Sequence, residues 1–277
     1  MILNFSGVLI VNKLKKSCWF YASILLLALS ATVRAQVPLK IVQVTNAATL
    51  VPEQLFNTMD FYAQAVSRSI KTAQPSSTKI KLLASKWRSA TIARFEYTYA
   101  EPSGASNTRI YNAISGQDPQ DILYEPGSAP NRQFNDFLSS SNIEKAAANI
   151  DVPGGRLGAS MDNQALDAEL KALKNFENDI LVNGLPPGGK LVGYISQAPC
   201  DSCANVLRQQ LPATGYARQI EVSYLPNSKA VGISQTETDI AKRFNTRRLV
   251  YKDNILSLRA GTLGRLEARG GELAGCL

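Results

Sequence analysis

The chain has 277 residues, of which 45% are apolar and 19% charged, with a formal net charge of +8. This composition is typical of a folded globular protein and excludes a largely disordered one. No internal repeat is visible, which argues against a solenoid. The absence of histidine excludes a Ser-His-Asp triad and any imidazole ligand for a metal.

The first 35 residues have the pattern of a secretory signal. Three lysines within residues 13–16 precede an apolar run at 18–29, and Val33 and Ala35 are the small residues that a signal peptidase reads. We therefore expect cleavage after Ala35 and a secreted or periplasmic location, with an uncleaved N-terminal anchor as the alternative. No later stretch is long enough to span a membrane stably.

Removal of this leader lowers the positive charge of the chain. The leader carries four of the 30 basic residues and none of the 22 acidic ones, so the formal charge of the mature chain is +4. A second basic cluster lies in the last third of the sequence. It fits a solvated face as well as a nucleic-acid groove, and both interpretations stay open.

The first half of the mature chain predicts an α+β region of unknown role at 36–150. Residues 115–130 predict an extended loop because they are rich in Gly, Pro, Asp and Ser. Strands and helices are predicted at 37–44 (strand), 52–73 (helix), the end of 79–100 (strand), 108–114 (strand) and 143–150 (short helix). We place a soft domain boundary near residue 150, although strands from both sides can share one sheet.

The second half, 151–277, shows a clearer alternation of elements. A helix that Asp162 can cap is predicted over 162–182, because apolar residues recur there every three or four positions. Further elements are predicted at 190–196 (strand), 199–211 (helix) and 219–225 (strand). The order of helix, strand, helix and strand predicts an α/β sandwich with helices packed on a sheet.

Two cysteines at the start of the 199–211 helix are candidate metal ligands. Cys200 and Cys203 are three residues apart, so both thiols can face one ion, and the positive end of the helix dipole favours their thiolates. Asp167 and Glu169 lie on the preceding predicted helix. The mature chain has one further cysteine, Cys276, and this odd count leaves at least one thiol unpaired within the chain or bound to a metal.

These segments resemble the two halves of the site in the deaminase superfamily, whose linear pattern is H-x-E followed by P-C-x-x-C. The stretches 167–173 and 199–203 are similar in particular to bacterial deaminases of polymorphic toxin systems. The resemblance covers about residues 156–225. It implies a cytidine deaminase-like three-layer sandwich in the C-terminal half, with Zn²⁺ on Asp167, Cys200 and Cys203 and with Glu169 as the proton carrier.

The same resemblance implies a function. The chain would deaminate a nucleobase, cytosine in preference to adenine, in a nucleic acid or nucleotide, as a secreted toxin or effector with a cognate immunity protein as a possible partner. Asp167 departs from the family pattern because it stands where histidine is usual. A third anionic ligand makes the metal a poorer Lewis acid, and the shorter side chain requires a closer approach of its helix.

Three other interpretations of the cysteine pair remain. An exported thiol oxidoreductase also has CxxC after a strand, but Pro199 and the Asp201-Ser202 pair are atypical of that class. A non-catalytic zinc-binding module of the deaminase type would need the three metal ligands but not the proton carrier Glu169. A structural disulfide between Cys200 and Cys203 would close a very short loop and add little stability.

Overall fold

The structure is a computed structural model, and it describes residues 37–257 except 47, 162, 163 and 228. The predicted signal at 1–35, the predicted helix cap at Asp162 and the third cysteine, Cys276, lie outside the described residues. Among the residues that are described, no helix combines the length and the apolar character needed to cross a bilayer.

The elements alternate along the chain, and their bounds are as follows. The first half contains β1 (Leu39–Gln43), α1 (Val51–Thr72), α2 (Ser77–Ser89), β2 (Ile92–Ala100), β3 (Ser106–Ile114), α3 (Pro119–Leu123), α4 (Ala129–Ser139) and β4 (Glu144–Ala146). The second half contains α5 (Ala168–Leu181), β5 (Gly189–Ile195), α6 (Asp201–Asn205), a π-helical segment (Val206–Gln210), α7 (Leu211–Thr214), β6 (Ala217–Tyr224) and α8 (Gln235–Ser257).

One mixed sheet joins both halves, in the strand order β1-β6-β5-β2-β3-β4. Strand β2 pairs antiparallel with β3 and with β5, whereas β1, β5 and β6 run parallel to one another. Gly193 of β5 lies opposite Phe95 of β2, and a Cβ at Gly193 would lie 2.5 Å from the Phe95 ring. Strands from both sides of the boundary expected near residue 150 therefore share one sheet, the arrangement that the sequence left open.

Helices cover both faces of this sheet. Side chains alternate between the two faces of a strand, so Phe95 and Tyr97 of β2 point in opposite directions to Arg94. Tyr97 contacts Phe176 of α5, with ring centroids 4.7 Å apart. On the other face Asn112, which pairs in register with Arg94, accepts a 2.6 Å hydrogen bond from Thr58 of α1. The mixed α/β class predicted from the sequence is confirmed, with three layers.

Two predicted elements of the first half are wrong. The expected loop at 115–130 contains α3 and the start of α4, because Pro119 and Pro130 lie in the first turns of these helices, where a missing N–H costs no hydrogen bond. Ser128 caps α4 by accepting a hydrogen bond from the Asn131 N–H. The expected helix at 143–150 is instead β4, because pairing with β3 overrides the local preference.

Two differences also concern the second half. Helix α5 begins at Ala168, six residues later than the start predicted at 162, with Asp167 as its N-cap residue. Helix α8 follows β6, where the sequence analysis predicts no element. The first difference changes the site, because it places Asp167 at a helix terminus with an extended backbone rather than inside a helix.

Candidate metal centre

Two helix N-termini bring the predicted ligands together. Asp167 is the N-cap residue of α5 and Cys200 is the N-cap residue of α6, and both have extended backbone angles. The Cys200 sulfur accepts a 3.4 Å hydrogen bond from the Cys203 N–H, so a thiol caps α6. The Asp167 carboxylate makes no such cap bond in its own helix, which leaves it available to the sulfurs.

The distances within this group fit a tetrahedral metal site. The Cys200 and Cys203 thiols donate to Asp167 Oδ2 at 3.2 and 3.4 Å, and the ligand atoms of all three residues lie within 4.8 Å of one another. Zinc bond lengths of about 2.3 Å to sulfur and 2.0 Å to oxygen, at tetrahedral angles, separate such atoms by about 3.5 Å. The structure thus places the three predicted ligand residues at the spacing of one shared ion.

Burial controls the protonation of the thiols in the metal-free protein. Cys203 is 2% exposed, and burial raises its pKa, as do the negative charges of Glu169 and Asp167. Burial also raises the pKa of Cys200, although the hydrogen bond from the Cys203 N–H opposes this. Both residues are therefore thiols that donate to Asp167 until a cation displaces their protons.

Glu169 is buried beside these ligands. Its side chain lies in the first turn of α5 and the residue is 4% exposed. Burial and the negative charge of Asp167 together raise the pKa of its carboxyl to about 7, against the opposing effect of a hydrogen bond from its own backbone N–H. Two residues inside a helix that are two apart face different directions, but the extended backbone of Asp167 lets both carboxyl groups act on one site.

A strap formed by residues 155–160 is fastened across the helices that carry the ligands. The buried Glu177 side chain of α5 accepts hydrogen bonds from the backbone N–H of Arg156 at 2.6 Å and of Leu157 at 3.3 Å. Ser202, between the two cysteines, accepts from the Ser160 N–H at 2.9 Å. The side chain next to the second cysteine therefore connects the metal centre to this strap.

The π-helical segment provides the third side chain that forms hydrogen bonds with the strap. The Leu211 N–H bonds to the carbonyl of Val206, five residues earlier, directly before Pro212. Gln210, at the end of this wider turn, donates to the Gly158 carbonyl at 3.1 Å and accepts from the Gly158 N–H at 2.9 Å. Sequence reasoning missed Glu177, Ser202 and Gln210, because their partners are backbone groups of a segment whose path only the fold determines.

A cavity of about 850 Å³ lies elsewhere, and none of the four site residues lines it. Its walls include Asn175 and Asp179, which lie on α5 at intervals of four residues after Lys171 and form a buried polar stripe. Lys171 is fully buried, pairs with Asp118 and donates to the carbonyl oxygens of Ile114 and Gly116. Lys171 thus anchors α5 to the end of β3 and to the segment that follows it.

Comparison of the chain with protein-family models, with curated proteins and with solved structures gives no match. Function is therefore inferred from the residues of the site and from the order of the elements that carry them.

Proposed function

We propose that this chain is a secreted zinc-dependent nucleobase deaminase that acts on cytosine. The observation that carries the proposal is the contact of the Asp167 carboxylate with both sulfurs, next to the buried carboxyl of Glu169. These are the three ligands and the proton carrier that the deaminase resemblance implies.

The order of the elements around the site supports the same proposal. The ligand-bearing N-terminus of α5 is followed by the central strand β5, the CxxC helix α6 and then β6, parallel to β5. The β2–β3 hairpin precedes them and lies in the same sheet. This succession, with helices on both faces, agrees with a cytidine deaminase-like three-layer sandwich.

Each residue has a role in the proposed hydrolysis. Asp167, Cys200 and Cys203 would hold zinc, which supplies the Lewis acidity that lowers the pKa of a water molecule towards 7. Glu169 would accept a proton from the attacking water and deliver it to the leaving amine. The other proton of the water passes to the ring nitrogen as the C–O bond forms, the C–N bond of the amidine carbon then breaks, and the products are ammonia and the carbonyl form of the base.

The burial of Glu169 suits this role. A carboxyl group with a pKa near 7 is divided between its two protonation states at neutral pH, so that it can both accept and donate a proton. Asp167 supplies the third negative charge of the ligand set in place of a neutral imidazole. We therefore expect a weaker Lewis acid than in a site with histidine.

One alternative has a specific observation in its favour. The cavity of about 850 Å³ is not lined by the ligand residues, and Cys203 is almost completely buried, which also suits a zinc-binding module without catalysis. Thiol exchange is the weaker alternative, because it requires a thiolate whereas burial raises the pKa of both thiols. Export as a toxin, with an immunity protein as partner, is part of the proposal.

The test uses residues 36–277, which include the compact unit Val37–Leu277, produced in a reducing cytoplasm. Bound zinc, ammonia release and C-to-T changes in host DNA are measured for the unaltered protein, Glu169→Gln and Asp167→Asn. We expect Glu169→Gln to keep one zinc per chain. Its rate of base conversion should fall by at least about 100-fold, because proton transfer by a positioned side chain typically contributes about 100- to 10,000-fold to a rate.

Asp167→Asn removes the anionic oxygen ligand at nearly constant size, so we expect zinc affinity to fall at least tenfold. Zinc binding without base conversion in the unaltered protein would instead establish a binding module. Absence of zinc under reducing conditions, together with reduction of insulin disulfides, would establish a thiol oxidoreductase.

A further inference from the structure

One stretch of the chain contains basic residues but no acidic residue. Residues 61–95 contain seven basic residues and no acidic residue, namely Arg68, Lys71, Lys79, Lys81, Lys86, Arg88 and Arg94. Lys79 pairs with Glu125, and Arg94 is buried between Glu96 and Glu144. The charges of these two residues are therefore balanced within the fold.

Helix α2 carries three of the remaining cations, Lys81, Lys86 and Arg88, which we call the basic face of α2. Leu83, Ala84 and Trp87 are buried against the protein, which leaves the other side of the helix to solvent. Lys81 and Arg88 are seven residues apart and lie along one border of the solvent-facing side, and Lys86 lies along the other. Within the part of the chain that the structure describes, none of these three cations forms an ion pair.

The basic face is not needed to stabilise the C-terminal end of α2. Cations near a helix C-terminus commonly offset the partial negative charge of the last carbonyl groups. Here the buried guanidinium of Arg248 already donates to the carbonyl oxygens of Trp87 and Ala90. Lys86 and Arg88 are thus available for a partner outside the fold.

Lys86 lies next to the segment that holds Asp167. A Cβ placed on Gly116 would be 2.9 Å from the Lys86 ammonium nitrogen, so the two residues are in contact. The Gly116 N–H donates to the carbonyl of Leu166 at 2.8 Å, and Leu166 directly precedes Asp167. A molecule that contacts Lys86 is therefore close to the first half of the metal centre.

A second chain of contacts leads from α2 to the cysteine half of the centre. Thr91 follows the helix by two residues, and its hydroxyl accepts a hydrogen bond from the Gln197 side chain. Its N–H donates to Ser115 at 2.8 Å. Gln197 lies three residues before Cys200, so the C-terminal end of α2 adjoins both segments that supply metal ligands.

We propose that the basic face of α2 binds the phosphodiester backbone of a nucleic-acid strand whose target base enters the metal centre. This inference rests on the proposed function, and it selects a polynucleotide rather than a free nucleoside or nucleotide as the substrate. Three cations along about two turns of a helix whose C-terminal end adjoins the ligand segments match the phosphates that flank a base turned out of its strand. Thr78, Ser85 and the exposed Leu82 lie between the two borders, so the surface is polar and charged apart from one leucine.

The test measures binding separately from catalysis. The Glu169→Gln protein, in which bound strands stay unconverted, is titrated with a fluorescein-labelled 20-nucleotide DNA strand at several salt concentrations. The basic-face variant is Lys81→Gln, Lys86→Gln and Arg88→Gln. The matched control has the same change of charge near the starts of β1, β5 and β6: Lys40→Gln, Lys190→Gln and Arg218→Gln.

We expect the basic-face variant to bind about 10- to 100-fold more weakly at 0.1 M salt, with a salt slope that is less steep by about 2. The control triple should change affinity by less than about threefold. Both variants should retain zinc and the thermal midpoint of the parent, since the altered side chains are at the surface.

Equal losses in both triples, or no loss in either, would overturn the inference. Binding to vesicles with 30% phosphatidylserine that is as strong as strand binding, and that the basic-face variant loses, would indicate that this surface binds a membrane rather than a nucleic acid. If no deaminase activity is found but strand binding depends on the basic face, the proposed nucleic-acid surface is supported and the proposed reaction is contradicted. If free deoxycytidine is converted and strand binding does not depend on the basic face, the proposed reaction is supported and the proposed nucleic-acid surface is contradicted.

Discussion

The backbone of Asp167 determines what its side chain can do. An aspartate at an N-cap usually accepts a hydrogen bond from the first turn, which stabilises a helix by about 1 kcal/mol. Asp167 has the extended backbone of an N-cap residue but directs its carboxylate to the two sulfurs instead. The α5 terminus thus gives up a cap bond, which indicates that the carboxylate serves the site rather than the helix.

Glu169 gives the metal-free protein a defined pH dependence. Burial raises the pKa of its carboxyl to about 7, above the value of 4.5 that it has when exposed. The folded state therefore holds a proton that the unfolded state has lost, and stability from this group is complete below pH 4.5 and decreases as the pH rises to 7. The loss is about 3 kcal/mol by linkage.

We expect Glu169→Gln to remove most of this decrease, because a glutamine side chain carries no charge to bury. In urea unfolding of the zinc-free protein between pH 5 and pH 8, the variant should be more stable than the parent at pH 8 and similar to it at pH 5. Asp201→Asn, an exposed acidic residue at the start of α6, is the control. Parallel pH curves for the parent and Glu169→Gln would contradict the prediction.

The proximity of Asp167, Cys200 and Cys203 could be predicted because their spacing is local. Cys200 and Cys203 are adjacent on one helical turn, and Asp167 and Glu169 form a second short motif, so that only the meeting of two segments had to be inferred. Glu177 and Gln210 could not be predicted in the same way. They bind backbone N–H groups of the 155–160 strap, and the sequence does not reveal which side chains that strap passes.

At the scale of elements, one buried arginine helps to fix the position of α8, in addition to apolar residues of the helix, such as Phe244, that pack in the first core. Arg248 is 7% exposed and donates to two carbonyl oxygens at the end of α2, and no acidic side chain pairs with it among the described residues. Burial lowers its pKa to about 10, so it remains charged at neutral pH. The carbonyl groups of the α2 terminus are the natural partners of that charge.

We expect Arg248→Met to reduce the free energy of unfolding by about 2–4 kcal/mol, because it leaves buried carbonyl groups without donors. Urea unfolding followed by circular dichroism measures this loss. Arg243→Met on the same helix is the matched control: Arg243 is exposed and pairs with Glu53 at 3.4 Å, so its removal should cost less than about 1 kcal/mol. Similar losses in both variants would show that Arg248 does not position α8.

The elements that the sequence predicts well are those with a strong internal period. Strands β2, β5 and β6 and helix α1 were predicted close to their observed bounds, because one face of each is apolar. The three-residue strand β4 exists only through its pairing with β3, and α8 is basic along much of its surface. Strand β4 is too short to have a local apolar pattern. Helix α8 has buried apolar residues at helical spacing, at positions 240, 244, 251 and 255, but its many charges and two exposed apolar residues at 249 and 250 obscure that pattern in the sequence.

At the scale of the whole molecule, the sheet separates two apolar cores and also joins them. One core contains Trp87 with α1, α2 and α8, and the other contains Phe176 with α5 and the α6–α7 region. Strand β2 contributes Ile92 to the first core and Phe95 to the second. Loss of either core leaves one face of this shared strand uncovered and weakens the sheet that supports the other core, so we expect both cores to unfold together.

Trp87 reports on the first core, since it is the only one of the two tryptophans outside the leader. Phe176→Ala alters the second core, where the ring is fully buried against Tyr97, Tyr111 and Tyr216. We expect a loss of about 3–5 kcal/mol, seen as an equal shift of the Trp87 fluorescence and circular dichroism transitions in urea.

Leu181→Ala in the same helix is the control, because Leu181 is 43% exposed and its truncation should cost less than about 1 kcal/mol. A Trp87 transition that stays in place while the circular dichroism signal moves would mean that the two faces of the sheet unfold independently. The candidate metal centre would then belong to a separable unit, because α5 and the π-helical segment that continues α6 both pack in the second core. A joint shift instead implies that a metal ion bound at this candidate centre would stabilise helices α1, α2 and α8 on the opposite face through the shared strands.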